Sequence, residues 1–263
     1  MNENEYLAAN GYVVLPIERL SLLEDFRVNL VRQSKLVFGN NTPEMSPEDY
    51  INRLHLFESV ATLTEAEFNE GRRRLICDLN ATEAIIEKLF SICKDQIIRW
   101  LGPDLIIQKN INLTIQKPND PYPTEIHRDS PPNSPYELAI WIPLTDCMDT
   151  KALRLVPLEP TRRISEKIRS YGNCALFEAD VKEAAVSVPV RFGQALYFSP
   201  TLFHYSVKNE ENQTRFSINI RIKNMYTPFG LKHPAAFFTP INTSIISNIG
   251  FRATQIDRVA NNG

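Results

Sequence analysis

Two periodicities divide this chain near residue 103. Before that point apolar residues recur at helical spacing, first over residues 17–38 and most clearly over 82–100. After it, short runs of alternating apolar and polar residues are separated by turn residues, which is the pattern of β-strands. The predicted strands cover residues 106–116, 137–144, 153–157, 194–198 and 214–223. A helical block followed by a strand-rich block predicts an α+β protein, in which a β-sandwich or barrel carries helices on one outer face.

Local signals predict where several helices begin and end. Ser46 precedes a proline and two acidic residues, the pattern of a capped helix start, and residues 64–67 have the pattern of a capping box. Gly102, followed by proline, is expected to end the helix over 82–100. A short helix is expected over residues 164–171, between two strands.

We expect a single domain over residues 1–263, because no repeat or low-complexity linker interrupts the chain. Residues 1–103 would form a mostly helical support, and 104–225 would form the β core. Residues 226–263 would form a C-terminal extension, for which the weak periodicity allows no assignment.

The strand around residue 218 separates its side chains most clearly. Phe216, Ile218 and Ile220 alternate with a second set that occupies the opposite face. That second set is polar and consists of Arg215, Ser217, Asn219 and Arg221. A polar face is costly to bury unless it lines a pocket, which favours an interior that holds a ligand. The polar residues of 112–116 either line the same cavity or form a solvent-exposed face of the sheet.

Composition and charge exclude several classes of function. The 263 residues are 43% hydrophobic and carry a formal net charge of −2, with acidic and basic residues interspersed. No basic stripe favours nucleic acid, and no polybasic run or long apolar segment favours a membrane. The N-terminus is acidic and unlike a signal peptide, so we expect a cytoplasmic protein. The scattered cysteines, Cys77, Cys93, Cys147 and Cys174, are expected to be reduced thiols, most of them buried.

Three side chains far apart in the sequence are candidates to share one metal ion. His127 and Asp129 are two residues apart, so an extended segment places both on one side, and His204 follows far downstream. Two imidazoles and one carboxylate are the ligand set of the non-haem Fe(II) oxygenases, which leaves three positions for a co-substrate and O₂. A surface turn with a salt bridge is the plain alternative for an isolated His-x-Asp motif.

Arg215 is the candidate to hold the far carboxylate of a 2-oxo acid, because a guanidinium is always charged and forked to match a carboxylate. Ser217 lies on the same strand face and would add a hydroxyl. Ser206 is on the same side of its strand as His204 and is a further candidate. Arg221 shares the face of Arg215 and is its rival as the anchor.

The order of these residues resembles the phytanoyl-CoA dioxygenase superfamily over roughly residues 105 to 225. The segments that carry the resemblance are His127-Arg128-Asp129, Trp141-Ile142-Pro143-Leu144-Thr145-Asp146, Leu153-Arg154-Leu155-Val156-Pro157, Gly193-Gln194-Ala195-Leu196-Tyr197-Phe198, His204 and Arg215-x-Ser217. The segment 137–147 is most similar to a bacterial subgroup whose genes occur in carbohydrate and aminoglycoside-type biosynthetic clusters. The chain differs from the family between Asp146 and Pro157, where the usual acidic-Asn-Gly turn before Ala-Leu and the Pro-Gly-Ser-His after it are missing. That difference bears on the substrate.

The resemblance implies a double-stranded β-helix (jelly-roll, cupin-like) core, with Fe(II) as the metal and 2-oxoglutarate and O₂ as co-substrates. It implies that His127, Asp129 and His204 are the iron ligands. It also implies that Arg215 with Ser217 binds the distal carboxylate of 2-oxoglutarate. By the same resemblance Ser206 assists, and Trp141 lies near the co-substrate. Because Asp129 is present, hydroxylation is expected over halogenation.

The expected activity is hydroxylation of a small polar metabolite, with a sugar or sugar-containing biosynthetic intermediate as the substrate. An amino acid or another natural-product intermediate is the alternative substrate. A cupin-type metalloenzyme that does not use 2-oxoglutarate and a barrel that only binds a ligand are the alternative functions. The substrate pocket is expected among the loops 118–123 and 130–136 and parts of the N-terminal helices. Its candidate contacts are Tyr122, Arg128, Tyr136 and Tyr205. No nucleic-acid or membrane partner is expected, and a homodimer stays open.

Overall fold

The computed structural model describes residues 1–39, 44–172 and 177–260, and for residues 254–260 it describes the backbone alone. The helices of this part of the chain are α1 (Glu3–Asn10), α2 (Leu20–Phe38), α3 (Pro47–Arg53), α4 (Glu58–Ala61), α5 (Glu65–Asn80), α6 (Ile85–Ile92), α7 (Lys94–Leu101), α8 (Leu158–Tyr171), α9 (Glu178–Ala184), α10 (Pro234–Phe237) and α11 (Ile245–Ala260). The strands are β1 (Tyr12–Pro16), β2 (Leu105–Gln108), β3 (Asn112–Gln116), β4 (Glu137–Pro143), β5 (Leu153–Leu155), β6 (Val186–Val188), β7 (Gln194–Phe198), β8 (His204–Tyr205), β9 (Arg215–Asn224) and β10 (Phe238–Asn242). The predicted α+β class is confirmed.

The predicted helix starts are confirmed by their hydrogen bonds. The Ser46 hydroxyl accepts the backbone N–H of Asp49 at 3.1 Å, which caps α3. At the start of α5, Thr64 and Glu67 exchange hydrogen bonds between side chain and backbone, as a capping box requires. Gly102 ends α7 with a φ of 79°, a conformation that glycine adopts without strain.

The predicted helix over 82–100 is wrong as one element, because Cys93 leaves the helical conformation and divides it into α6 and α7. The physical reason lies elsewhere in the sequence. The Glu18 carboxylate accepts the backbone N–H groups of Asp95 and Gln96 at 2.9 and 2.5 Å, and so caps the start of α7. An uninterrupted apolar stripe does not reveal a break that a distant side chain stabilises. The predicted helix over 164–171 was too short, since α8 begins at Leu158.

A large antiparallel sheet has the order β1-β7-β4-β9-β2-β10, and β3 pairs with β9 beside this path. The single strand predicted over 106–116 is therefore two strands, which pair with opposite ends of the ten-residue β9. The strand β1 was not predicted, and it pairs with β7 from Tyr12↔Phe198 to Pro16↔Gln194. A smaller sheet has the order β6-β5-β8.

The apolar face of the large sheet packs against the N-terminal helices. One continuous core joins Phe216, Ile218 and Ile220 of β9 to buried residues such as Leu23 of α2 and Leu75 of α5. The burial of this face matches the alternation in the sequence, because successive side chains of a strand point to opposite faces. The helical block therefore covers one side of the sheet and leaves the polar face of β9 on the other side.

The other face of the large sheet has its own apolar cluster toward the small sheet, which includes Ala139, Trp141 and Leu196 together with Leu153 and Leu155. A third cluster lies where the helices α8 and α9 pack beside β8. Among the described cysteines, Cys93 and Cys147 are buried and Cys77 is exposed, and all three are free thiols. The fourth, Cys174, lies outside the described residues. Within the described ranges, no helix is long and apolar enough to cross a membrane.

One glycine sets how closely two N-terminal helices pack. A Cβ at Gly71 of α5 would lie 2.4 Å from Cε1 of the buried Phe38 in α2. We expect Gly71→Ala to lower the free energy of unfolding by about 1–2 kcal/mol, because overpacking outweighs the gain in helix propensity. Urea unfolding measures this change. The matched control is Gly250→Ala in α11, where a Cβ meets nothing within 4 Å and no loss is expected. A Gly71→Ala protein as stable as wild type would contradict this packing.

Candidate functional site

The two histidines are brought together by a backbone bridge between a loop and β8. The His127 N–H donates to the His204 carbonyl at 3.1 Å, and the His204 N–H donates to the His127 carbonyl at 2.9 Å. Directly paired residues of an antiparallel ladder share one face, so the two imidazoles lie side by side, with 4.2 Å between ring centroids. The spacing of His127 and Asp129 then brings the carboxylate to the same face.

His127, Asp129 and His204 form a compact cluster of candidate ligands. One ligand atom from each side chain lies within 4.8 Å of the other two. The Nε2 atom of His127 is 3.9 Å from Oδ1 of Asp129. Asp129 and His204 are mostly buried and converge with His127 from separate segments, which favours a shared ligand over an isolated surface turn.

Hydrogen bonds fix the orientation of both imidazoles. Nδ1 of His127 lies 2.8 Å from the Glu125 carbonyl, and Nδ1 of His204 lies 3.1 Å from the Leu202 carbonyl. A carbonyl oxygen only accepts, so each Nδ1 carries the proton and each Nε2 keeps a lone pair for a metal ion. Burial, with His127 alongside, lowers the pKa of His204 to about 4, which keeps this imidazole neutral near pH 7.

Arg221 binds Asp129 through two hydrogen bonds. Its Nη2 donates to Oδ1 at 2.5 Å and its Nε donates to Oδ2 at 3.1 Å. Its third nitrogen, Nη1, donates to Oε1 of Gln108 at 3.2 Å. All three guanidinium nitrogens of this buried side chain therefore form hydrogen bonds, and two of them bind Asp129 of the candidate ligand cluster.

Arg215 is in the opposite situation. It is 2% exposed, and its Nη1 donates to the Lys151 carbonyl at 3.2 Å, while its Nε has no partner. Across the described ranges, no carboxylate lies within ion-pair distance of this guanidinium. Burial lowers the pKa of Arg215, and the nearby Cys147 and Asp120 act in the opposite direction. A buried charge without a counter-ion is costly, which indicates a place for an anionic ligand.

Further polar atoms of β3, β9 and the segment after β4 are buried without a hydrogen-bond partner among the described residues. Gln116 lies directly opposite Arg215 in the sheet, and Ser217 lies opposite Pro143 and Thr114. The buried atoms without a hydrogen-bond partner include Gln116 Oε1, Thr145 Oγ1, Ser217 Oγ and Asn219 Oδ1. Native proteins rarely leave such groups unpaired, so this polar face fits a bound polar molecule better than a solvent-exposed sheet. The sequence had left these two interpretations open for residues 112–116.

The remaining predicted residues have other surroundings. Trp141 is 5% exposed and pairs with Asn219 of β9, on the same face as the polar residues. Ser206 is 3% exposed, and its hydroxyl oxygen accepts the backbone N–H of Thr124 at 2.9 Å. Ser206 therefore helps to hold the segment before His127 against β8.

A cavity of about 970 Å³ opens beside His127. Its lining consists of Pro121, Tyr122, Pro123, Thr124, Glu125, Ile126, His127, Arg128, Ser130, Ile168, Glu178, Val181, Lys182, Phe203, Tyr205, Ser206, Val207 and Lys208. The N-terminal helices contribute no residue to this lining, because they cover the opposite face of the large sheet. The helices α8 and α9 supply the wall instead, and the predicted contact Tyr136 is not in the lining. The periodicity of the sequence predicts that a segment is helical, but it does not predict which element the helix packs against.

Comparisons with known proteins bear on the family and the fold. The family model described as "Phytanoyl-CoA dioxygenase (PhyH)" matches residues 51–217, more than half of the chain. No curated protein matches the chain.

Two solved structures are similar over most of the chain. One is "Non-heme monooxygenase, ThoJ-Ni complex", with 16% identity, a TM-score of 0.53 and coverage of 91% of this chain and 83% of that one. The other is the "non-heme alpha ketoglutarate dependent carbocyclase SnoK from nogalamycin biosynthesis", with 16% identity, a TM-score of 0.55 and coverage of 88% and 87%. At this identity the similarity shows a shared fold. Together with the family model, which spans His127, Asp129, His204 and Arg215, it shows that the chain belongs to the phytanoyl-CoA dioxygenase family.

Proposed function

We propose that this protein is an Fe(II)- and 2-oxoglutarate-dependent dioxygenase that hydroxylates a small polar metabolite. A sugar or a sugar-containing biosynthetic intermediate is the substrate class that we favour. The observation that supports the proposal most directly is that a candidate metal site and a candidate co-substrate site lie together inside the protein. A cluster of two imidazoles and one carboxylate lies on the same face of the fold as a buried arginine that has no carboxylate partner among the described residues.

Family membership makes the protein an oxygenase-type enzyme, and Fe(II), 2-oxoglutarate and O₂ are its cofactor and co-substrates. The donor set fits a ferrous ion, because imidazole nitrogen combined with one carboxylate is the ligand set that non-haem iron oxygenases use. We assign His127, Asp129 and His204 as the ligands. When bound, the iron supplies the oxidative decarboxylation of 2-oxoglutarate to succinate and CO₂, coupled to hydroxylation of a C–H bond.

We assign Arg215 as the anchor of the distal carboxylate of 2-oxoglutarate. A dicarboxylic co-substrate would give this guanidinium the counter-ion that none of the described residues provides. The Ser217 hydroxyl, 1% exposed and without a partner, would donate to the same carboxylate. Trp141 and Ser206 would border this site. Arg221 is the weaker candidate for the anchor, because Asp129 and Gln108 already engage its nitrogens.

The cavity beside His127 is where we place the substrate. Tyr122 and Tyr205 line it with Arg128, whose guanidinium lies 4.8 Å from the centre of the Phe203 ring. Aromatic faces with adjacent charged groups suit a polar molecule with apolar faces, such as a sugar. The similar structures are described as a monooxygenase and a carbocyclase, so proteins of this fold carry out more than one reaction. A natural-product intermediate or an amino acid is therefore the alternative substrate.

We also propose the finer architecture. The facing large and small sheets would form the double-stranded β-helix of a jelly-roll, cupin-like core within a single domain over 1–263. The polar face of β9 supports this, because Arg221 on that face binds Asp129, which follows the bridge between His127 and His204. Residues 1–103 would then be the support, and 226–263 an extension of the core.

Release of succinate from 2-oxoglutarate tests the activity. The purified protein, loaded anaerobically with Fe(II) and exposed to O₂, is assayed with a panel of sugars, nucleotide sugars and amino acids. We expect succinate release that depends on Fe(II) and rises with one class of compound. A protein that binds Fe(II) but neither binds nor consumes 2-oxoglutarate would favour the cupin-type alternative, and a protein that binds no Fe(II) would favour a ligand-binding barrel.

A further inference from the structure

We propose that Arg221 is a positioning residue that restricts Asp129 to one coordinating oxygen. This inference rests on the proposed function, since it concerns the metal ion that Asp129 would bind. It gives the two buried arginines of β9 different tasks. Arg215 would hold the co-substrate, and Arg221 would hold a ligand of the metal.

The contact between Arg221 and Asp129 uses the chelating edge of the carboxylate. Nη2 donates to Oδ1 at 2.5 Å and Nε donates to Oδ2 at 3.1 Å, which is the arrangement of two parallel hydrogen bonds. These bonds use the syn lone pairs of the carboxylate, one on each oxygen. A metal ion bound by both oxygens would need the same two lone pairs. The lone pairs on the outer side remain available. Oδ1 is the oxygen that lies 3.9 Å from Nε2 of His127, so it is the one that we assign to the metal.

Arg221 is itself held in place. Both partners of the Arg221–Asp129 ion pair have side chains that are 8% exposed. The Gln108 side chain accepts from Nη1 at 3.2 Å and donates to the Asn110 carbonyl at 2.5 Å. Arg221 could bind a co-substrate in place of Asp129 only if this ion pair were broken. Both buried charges would then need new partners, which is costly. Each nitrogen of Arg221 therefore already donates to a protein acceptor and the side chain has a carboxylate partner, whereas Nε of Arg215 has no partner among the described residues.

One coordinating oxygen matters because of the number of open positions. Two imidazole nitrogens and one carboxylate oxygen leave three of the six positions of an octahedral ion, and a chelating 2-oxo acid takes two of them. If Asp129 bound the metal through both oxygens, its second oxygen would occupy one of the three remaining positions. It would then compete with the co-substrate or with O₂. Arg221 prevents this by holding the carboxylate edge.

Titration of Ni(II)-loaded protein with two chelators separates the tasks of the two arginines. 2-Oxoglutarate chelates a metal and also carries a distal carboxylate, whereas oxalate chelates through two oxygens and has no distal group. The variants are Arg221→Met and its matched control Arg215→Met, with calorimetry as the readout. For Arg221→Met we expect the Kd of both chelators to rise together, by about tenfold or more. For Arg215→Met we expect a rise of about a hundredfold for 2-oxoglutarate and little change for oxalate.

Nickel affinity is measured first. For Arg221→Met we expect Ni(II) binding at least as tight as in wild type, because a positive charge beside the cation is removed. A tenfold loss of Ni(II) affinity would overturn the inference, since Arg221 would then be needed to hold the metal itself. A loss of 2-oxoglutarate binding without a loss of oxalate binding would overturn it as well, and would make Arg221 an anchor. Unchanged Kd values for both chelators would also overturn it.

Arg221→Lys keeps the inference testable if Arg221→Met does not fold. Lysine preserves the charge beside Asp129 but cannot form two parallel hydrogen bonds, so the protein should fold and still lose affinity for both chelators. Wild-type affinities in this variant would show that charge alone suffices, which contradicts the inference. If the wild-type protein binds Ni(II) and 2-oxoglutarate, the proposed function stands whatever the Arg221 variants show.

Discussion

Asp129→Ala is expected to abolish turnover of 2-oxoglutarate and to lower metal affinity by about a hundredfold or more. The change removes the only carboxylate among the three candidate ligands, so two imidazoles would have to hold the cation. It also leaves the Arg221 guanidinium buried next to the site without its ion-pair partner, and this positive charge would repel a divalent ion. Succinate release measures turnover, and calorimetric titration with Ni(II) measures the affinity.

A control separates this effect from a general loss of an acidic residue. Asp95→Ala removes a carboxylate from a surface pair with Arg19, where the Asp95 side chain is 62% exposed. Surface pairs contribute about 0–1 kcal/mol, so this variant should keep its stability and its turnover. Full turnover in Asp129→Ala would refute the ligand assignment. Thermal unfolding of the metal-free proteins checks that both variants fold.

Arg215→Met is expected to raise the KM for 2-oxoglutarate by about a hundredfold, because a charge-assisted contact with the distal carboxylate is lost in a buried site. Methionine fills part of the buried volume without a charge, so the protein should fold. Affinity for Ni(II) should be unchanged, since Arg215 donates to the Lys151 carbonyl and not to any of the three candidate ligands. Succinate release at increasing concentrations of 2-oxoglutarate gives the KM.

This prediction also decides between the proposed function and its main alternative. A cupin-type metalloenzyme with the same three ligands has no dicarboxylic co-substrate and needs no buried guanidinium at this position. Arg215→Met would then leave its activity intact. Asn219→Ala is the matched control on the polar face of the sheet. It removes a buried acceptor that has no partner among the described residues, but it removes no charge. We expect it to change the KM far less than Arg215→Met does.

The alternation of residues along β9 was sufficient to predict the polar interior. A period of two assigns Arg215, Ser217 and Arg221 to one face without any knowledge of the neighbouring strands. The spacing of His127 and Asp129 predicted a shared face in the same way. These predictions are confirmed as placements, because they depend only on local backbone geometry.

Features that depend on distant partners were not predicted. The ion pair between Arg221 and Asp129 joins β9 to a loop far upstream, and neither residue type reveals its partner. Two further features were missed for the same reason, because each joins residues far apart in the sequence. They are the cap that Glu18 forms on α7 and the pairing of β1 with β7. The cavity wall from α8 and α9 depends on how an inserted segment folds back. Local patterns carry no information on such contacts, since the side chains involved are common at many other positions.

The most direct measurement is a crystal structure of the wild-type protein grown with Ni(II) and 2-oxoglutarate, in which anomalous scattering locates the metal. We predict one anomalous peak within bonding distance of Nε2 of His127, Nε2 of His204 and a single oxygen of Asp129, with the distal carboxylate of 2-oxoglutarate on Arg215. A metal ion bound elsewhere, or 2-oxoglutarate bound away from Arg215, would contradict the proposed chemistry.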